Sequence, residues 1–365
     1  MKEQLDLLKA QLDGPVLITG HTGFKGSWLT LLLERLGVEV VGYSLPPTSE
    51  SLYLKLRNHK GPIKETFSDV RDLNALKDFI KETQPSAIFH LAAQPLVNES
   101  YLQPYSTFET NVMGTVNLLE AAHVSKKIKN IIVITTDKVY KNNNLGLAFK
   151  ETDELQGHDP YSTSKVAAES AVLAWQNLSK LSDGPQIFAA RAGNVIGGGD
   201  WTLGRLIPDL VRGLSSDQIV TLRNPNSTRP WQHVLDPLIG YLLILANASK
   251  LKENTAFNFG PVEQSLSVTN VVDIVEKVWG NKLKIDFTTE NKFTEAKQLN
   301  LDSSLARKVL TWSPVWDQIQ AVDQTTNWWK NYFMHGQEAS ELCNNDIEFA
   351  LSRNFNSKSE KIIKS

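Results

Sequence analysis

A chain of 365 residues, 41% apolar and 21% charged, has the make-up of a globular protein with a large core, enough for two lobes. Its net charge of -2 excludes a general attraction to nucleic acid or to an anionic membrane. The single cysteine, Cys343, rules out an intrachain disulfide and a thiolate-clustered metal site, and no apolar run reaches membrane-spanning length, so a soluble, metal-free cytoplasmic protein is expected.

In chain order, the first 14 residues are charged and helix-prone and lack the apolar core of a secretory leader. Val16-Leu17-Ile18-Thr19 then reads as a short buried strand, because β-branched residues dominate a run without polar alternation. Gly20, Gly23 and Gly26 follow at spacing three, and Trp28, Leu29, Leu31, Leu32, Leu33 and Leu36 continue on helical spacing. A glycine turn between strand and helix lets the chain bend sharply. It leaves the first helical N–H groups pointing outward at the positive end of the helix dipole, which suits a phosphate. The triplet alone also fits a plain turn, and its spacing is not the G-x-G-x-x-G of many dehydrogenases.

Further strands are expected over 38–44, 87–93, 130–136 and 186–197, and helices over 73–82, 104–124 and 161–178. Such βαβ alternation predicts an α/β, Rossmann-like doubly wound parallel sheet with its ligand crevice at the carboxyl ends of the strands. Past Gly197 the segments shorten and carry Pro208, Pro225, Pro230, Pro237 and Pro261. This change marks a smaller C-terminal substrate-binding lobe. Residues 1–196 are thus read as mainly the sheet domain, and 197–335 as mainly the second lobe, with some chain returning to the first. Residues 336–365 are read as a polar tail without strong periodicity and with loose last residues.

Two clusters can carry chemistry. In "YSTSK", Tyr161 and Lys165 stand four apart at the start of a helix and share one face. A lysine cation beside a phenol favours phenolate and makes the tyrosine a candidate general base. Upstream, the strand over 130–136 ends in Thr136, Asp137 and Lys138. Asp137 can give or take a proton there, Thr136 can hydrogen-bond a substrate oxygen, and a partly desolvated Lys138 can serve as a base. Each cluster taken singly also fits a surface ion pair.

The glycine turn, "HLAAQP", "TNVMGTVNLLEAA" and Tyr161/Lys165 appear in the order that resembles the extended short-chain dehydrogenase/reductase superfamily. "GHTGFKGSWL", "TDKVY", "RAGNVIGGGDW" and "RNPNSTRPWQHVLDPLIGYL" are similar to the CDP-glucose 4,6-dehydratase group within it, over about residues 14–328. The resemblance implies bound NAD, a CDP-glucose substrate and a homodimer built on the helices over 104–124 and 161–178. Of the apolar residues there, Val112, Leu118, Leu119, Val166, Val172 and Leu173 serve either that interface or the sheet. It implies Tyr161 as base at the C4 hydroxyl, Lys165 on the ribose, Asp137 as the acid at the C6 oxygen and Lys138 as the base at C5. Relatives acting on dTDP-glucose carry glutamate where Lys138 stands; Thr136 replaces the group's usual serine and Val139 its usual cysteine.

By the same resemblance, NAD contacts Gly20, Thr22, Gly23, Phe24, Lys25, Gly26, Asp69, Val70, Leu91, Ala92, Ala93, Gln94 and Asn111. The substrate contacts Gln94, Asn194, Arg205, Arg223 and Arg229, of which Arg229 is matched to a diphosphate by its guanidinium fork. His233 is expected to be a packing histidine, and Trp201 and Trp231 packing residues. The strand over 38–44 ends without the acid that would hold a ribose, and without an arginine for a 2′-phosphate. The rival readings are a 4-epimerase, which needs no acid/base pair after the fifth strand, and a non-catalytic nucleotide binder on the same fold.

Overall fold

The computed structural model describes residues 2–60, 63–143, 146–222, 224–251, 255–263, 265–287 and 299–355. Its centre is a parallel sheet of seven strands: β1 (Val16–Thr19), β2 (Val40–Ser44), β3 (Lys64–Phe67), β4 (Ala87–His90), β5 (Asn130–Ile134), β6 (Gln186–Ala192) and β7 (Ala256–Phe259). The order across the sheet is β7-β6-β5-β4-β1-β2-β3. The strand order reverses between β1 and β4, where an open α/β sheet has its ligand crevice.

Alternation along each strand divides the core in two. Val16, Ile18, Phe89, Ile132, Ile134 and Phe188 feed one cluster, and Leu17, Ile88, Ile131, Val133 and Ile187 feed the other. On the first face lie α1 (Phe24–Arg35) and several later helices. On the second, α2 (Leu73–Thr83), α3 (Gly114–His123) and α4 (Pro160–Ser182) bury Phe79, Leu118, Leu119 and Val172. Leu118, Leu119 and Val172 therefore serve the sheet, whereas Leu173 faces outward.

The first face is completed by α5 (Leu235–Asn247), buried along its whole length, by α6 (Gln318–His335) and by α7 (Ala339–Phe355). Together with β7, α5 is the part of 197–335 that joins the central layer. The helix α7 corrects the expectation of a tail without periodicity. Leu342, Cys343, Ile347, Ala350 and Leu351 recur at helical spacing and are buried in the core, while the last residues, 356–365, lie outside those described.

The strand β3 has no counterpart in the expected elements. It is a sheet edge, and its sequence KETF is charged and half-exposed, as edges commonly are. The strands expected over 87–93 and 130–136 stop at His90 and Ile134. Their last residues turn out of the sheet and form the crevice. The helix expected over 104–124 contains a π turn, Glu109–Met113, between Pro104–Phe108 and α3. No helix among the described residues is long and apolar enough to cross a membrane.

Docking of α7 makes one checkable statement. Cys343 is fully buried and burial pushes its thiol well above the usual range. The native protein is therefore expected to resist a thiol reagent and to react only on unfolding. Rapid modification without loss of helicity would show that α7 detaches from the core.

Candidate active site

The glycine turn is explained by close approach. Gly20 has φ +75, and a Cβ on it would lie 2.8 Å from the backbone nitrogen of Ala92, so only glycine lets the end of β1 touch the loop after β4. A Cβ on Gly26 would stand 2.1 Å from the carbonyl oxygen of Gly20, so only glycine lets α1 start against the turn. Gly23 caps α1 with no side-chain hydrogen bond, and the first turn has no acid but does hold Lys25. A cation at the positive end of a helix is unfavourable by itself, and an uncapped N-terminus beside it fits the pyrophosphate of NAD.

Thr22 bonds the Ser44 hydroxyl at 2.7 Å and donates to the Leu45 carbonyl at 3.0 Å, tying the turn to the end of β2. Phe24 lies close to Gly197, and Leu91, Ala92 and Ala93 are partly exposed along the loop after β4. Asp69 is held by Arg71, whose guanidinium keeps its carboxyl below the usual range, and Val70 is buried against Gly114.

Two predicted ligands have side chains already engaged. The Gln94 amide donates to the Leu96 carbonyl and the Thr107 hydroxyl and accepts from the Leu96 N–H. Asn111, in the π turn, accepts from the Gln94 N–H at 2.8 Å and donates to the Ser164 hydroxyl at 2.9 Å. It thereby fastens the loop after β4 to α4.

The two chemical clusters meet at the carboxyl edge. Asp159 caps α4 with a capping box, and Ser100 accepts the Tyr161 N–H at 3.1 Å, which fixes the helix start. Lys165 is buried and donates to the Ile134 carbonyl at 3.4 Å. Its ammonium is brought down to about 8 by burial, against the pull of Glu169. The Tyr161 phenol is pushed up to about 12 by burial, with a hydrogen bond from Thr136 as the main opposing influence. This departs from the expectation that Lys165 would lower the phenol. Desolvation outweighs it, and Thr136 is the group that favours phenolate.

Asp137 is buried on the turn after β5. Its Oδ1 accepts from the Thr136 hydroxyl at 3.0 Å and lies 3.9 Å from the Lys138 ammonium nitrogen. Its Oδ2 is buried with no hydrogen-bond partner among the described residues. Gly193 is the reason it fits: a Cβ there would stand 3.1 Å from Asp137 Oδ2 and 2.8 Å from Pro230. Lys25 reaches the same place. Burial, then the cations of Lys165 and Arg205, bring it down to about 7, while Asp137 acts in the opposite sense.

On the other wall, Asn194 opens a short strand, Asn194–Ile196, paired with Trp231–His233, and its side-chain oxygen is buried with no hydrogen-bond partner among the described residues. Arg205 pairs with the buried Asp200 at 2.8 Å, and its charge acts on both Tyr161 and Lys25. Arg229 is buried on a two-residue strand and donates to the Thr228 carbonyl at 2.9 Å. Arg223 lies outside the described residues. His233 packs between Trp28 and Trp316, 3.5 Å from Asp346. Trp201 stacks on Trp329, Phe333 and Arg212, and Trp231 is buried.

Sequence reasoning missed Ser100, Ser164 and Asp200, which hold Tyr161, Asn111 and Arg205. It also missed Glu169 and Arg191, a buried pair behind the catalytic helix. The signal for the pair was present. Glu169 stands four residues past Lys165, and Arg191 sits inside an apolar strand, where a charge requires a partner.

Residues 16–260 match the model of the NAD dependent epimerase/dehydratase family. The chain is 42% identical over 324 residues to a CDP-glucose 4,6-dehydratase of Salmonella typhimurium, covering 86% of this chain and 90% of that protein. A UDP-glucose 4-epimerase of Lactobacillus helveticus is 25% identical over 341 residues, 88% of this chain and 99% of the relative. Among solved structures, MoeE5 in complex with UDP-glucose and NAD superposes with a TM-score of 0.76 at 25% identity, covering 88% of this chain and 100% of that one.

The packing at Gly193 predicts a selective defect. Gly193→Ala pushes Asp137 aside and is expected to cut turnover about 10- to 100-fold while leaving NAD binding intact. Calorimetric titration with NAD beside steady-state assays reads both. Full activity in this variant would remove Asp137 from the reacting centre.

Proposed function

The chain belongs to the NAD dependent epimerase/dehydratase family, and within it we propose a CDP-glucose 4,6-dehydratase that forms CDP-4-dehydro-6-deoxyglucose and water. The observation that carries this reading is Asp137: a buried carboxyl group with one oxygen unpaired among the described residues, beside Tyr161 and Lys138, where an epimerase needs no second acid. A CDP-glucose 4,6-dehydratase is 42% identical over 86% of this chain, and that similarity supports the choice of nucleotide.

Bound NAD would accept hydride from C4 of the sugar and give it back at C6. The chain's own residues handle the protons. Tyr161, polarised by Thr136, takes the proton of the C4 hydroxyl, and Lys165 holds the nicotinamide ribose. The C4 ketone acidifies C5–H, and Lys138 removes that proton. With the proton of the Asp137–Lys138 pair on Asp137, its Oδ2 protonates the C6 hydroxyl so that it leaves as water, and the proton that Tyr161 took from the C4 hydroxyl restores Asp137 before the next turnover. Lys138 returns a proton to C5 after C6 is reduced. Asn194, Arg205 and Arg229 receive the diphosphate and sugar from the second wall, within a lobe formed mainly by residues 197–335.

A homodimer supports this arrangement. Tyr105, Phe108 and Met113 on the 104–113 helical stretch and Leu173 and Leu178 on the adjacent α4 are exposed apolar side chains, an area a monomer rarely leaves wet. A cytoplasmic enzyme fits a chain whose one cysteine is free and buried. Sedimentation equilibrium is expected to give twice the chain mass; a monomer at all concentrations would refute the dimer.

Proton NMR of the protein with NAD and CDP-glucose is expected to show a new C6 methyl signal without added reductant. The dTDP, UDP and GDP analogues are expected to give far slower reaction. No methyl signal, but a change of configuration at C4, would move the assignment to an epimerase. The pH profile is a second check. Lys165, at about 8, is charged below that pH and loses its proton above it, so kcat/KM is expected to fall through about 8. Lys165→Arg, which stays charged, is expected to lose this limb at a lower overall rate; an unshifted limb would assign it to another group.

A further inference from the structure

Behind the catalytic helix lies a polar network that the reaction scheme does not use. Glu169, one turn past Lys165 on α4, and Arg191 on β6 form an ion pair in which each side chain is 5% exposed. Arg191 Nε donates to Glu169 Oε1 at 2.8 Å and to Oε2 at 3.1 Å, and Nη2 also bonds Oε2. Among the described residues three others bond this pair, Glu151 by accepting from Arg191 Nη1 at its carbonyl at 3.1 Å. The Thr135 hydroxyl donates to Glu169 Oε1 at 2.7 Å, and Arg191 Nη1 donates to the Tyr140 hydroxyl at 2.8 Å.

Thr135 immediately precedes the Thr136-Asp137-Lys138 segment, and Tyr140 follows it by two residues. The segment is thus strapped at one end to Glu169, on the helix that holds Tyr161 and Lys165, and at the other to its ion-pair partner Arg191 on β6. Tyr140 is fixed further: its hydroxyl donates to Asn258 Oδ1 at 2.6 Å, its ring stacks on Phe149, and the Arg191 guanidinium lies over it. Hydrogen bonds to charged groups are short and about twice as strong as neutral ones, so a buried ion pair is a stiffer anchor than backbone contacts alone.

We propose that the Glu169–Arg191 pair is a positioning device that holds the elimination residues Asp137 and Lys138 in register with the Tyr161/Lys165 pair. The proposal rests on the dehydratase reading above. It makes Thr135 and Tyr140 positioning residues for elimination in particular, because each strap bounds the 136–138 segment and neither touches Tyr161 or Lys165 in the hydrogen-bond network.

The test uses Thr135→Val and Tyr140→Phe in the full chain with NAD, each removing one strap and leaving the ion pair. Two rates are read with CDP-glucose: the near-ultraviolet absorbance of reduced nicotinamide for oxidation at C4, and the methyl NMR signal for completed elimination. Methyl formation is expected to slow about 10- to 100-fold and oxidation, which depends on the segment through Thr136, by a smaller factor, with KM and NAD affinity at their wild-type values. Thr135→Ser, which keeps the hydroxyl, is expected to restore the rate. Wild-type methyl formation in both variants, or equal slowing of both steps, would overturn the proposal. Glu169→Gln disturbs both the straps and Lys165, and is expected to slow both steps; slowing of elimination alone would contradict the shared anchor. Absence of methyl formation by the unmodified protein would overturn the dehydratase reading instead, so the two failures are distinguishable.

Discussion

The loss of water from the carboxyl edge of the parallel sheet is the constraint on which the rest of the site depends. Lys165, Tyr161 and Asp137 are all buried there, and burial moves the Lys165 ammonium down toward neutrality and the Tyr161 phenol up. His90, bonded to Thr19 and Thr115, is driven down to about 3 in the same environment and stays neutral. A small number of hydrogen bonds then decides which form each group takes. Thr136 is central because its single hydroxyl proton, donated here to Asp137, is also the one that would stabilise a Tyr161 phenolate, so one hydroxyl joins the two chemical clusters.

Close approach of backbone is the second half of the design. The end of β1 touches the loop after β4 only because Gly20 has no side chain, and Asp137 sits beside the 193–194 turn only because Gly193 has none. These two contacts lie on opposite walls of one crevice. One wall carries a helix start without a side-chain cap, and the other carries Asn194 and Arg229. In the proposed function the first wall takes the cofactor and the second the sugar, and both meet Tyr161.

Much of this was legible in the sequence because it follows from strong local patterns. The buried strands β1, β4, β5 and β6 are apolar on both faces, and the capped start of α4 follows directly from "DPYSTSK". The place of Thr136, Asp137 and Lys138 just past a strand end was legible too. What escaped depends on tertiary partners. The edge strand β3 is polar because it is an edge, and α7 is amphipathic on a stripe that only the core reveals. Gln94 and Asn111 resembled ligands, yet their side chains fasten the loop after β4 to its neighbours, a distinction that no spacing carries. The direction of the Tyr161 shift was missed for a physical reason: a pair rule weighs Lys165 against the phenol but cannot weigh the burial of both.

The central claim is a division of labour, with Tyr161 and Lys165 serving oxidation at C4 and Asp137 serving departure of the C6 oxygen. Rapid mixing of Asp137→Asn, loaded with NAD, against CDP-glucose tests it most directly. The account predicts that reduced nicotinamide forms and persists while no methyl product appears. Loss of both signals in a protein that still binds NAD and substrate, or normal methyl formation, would contradict it.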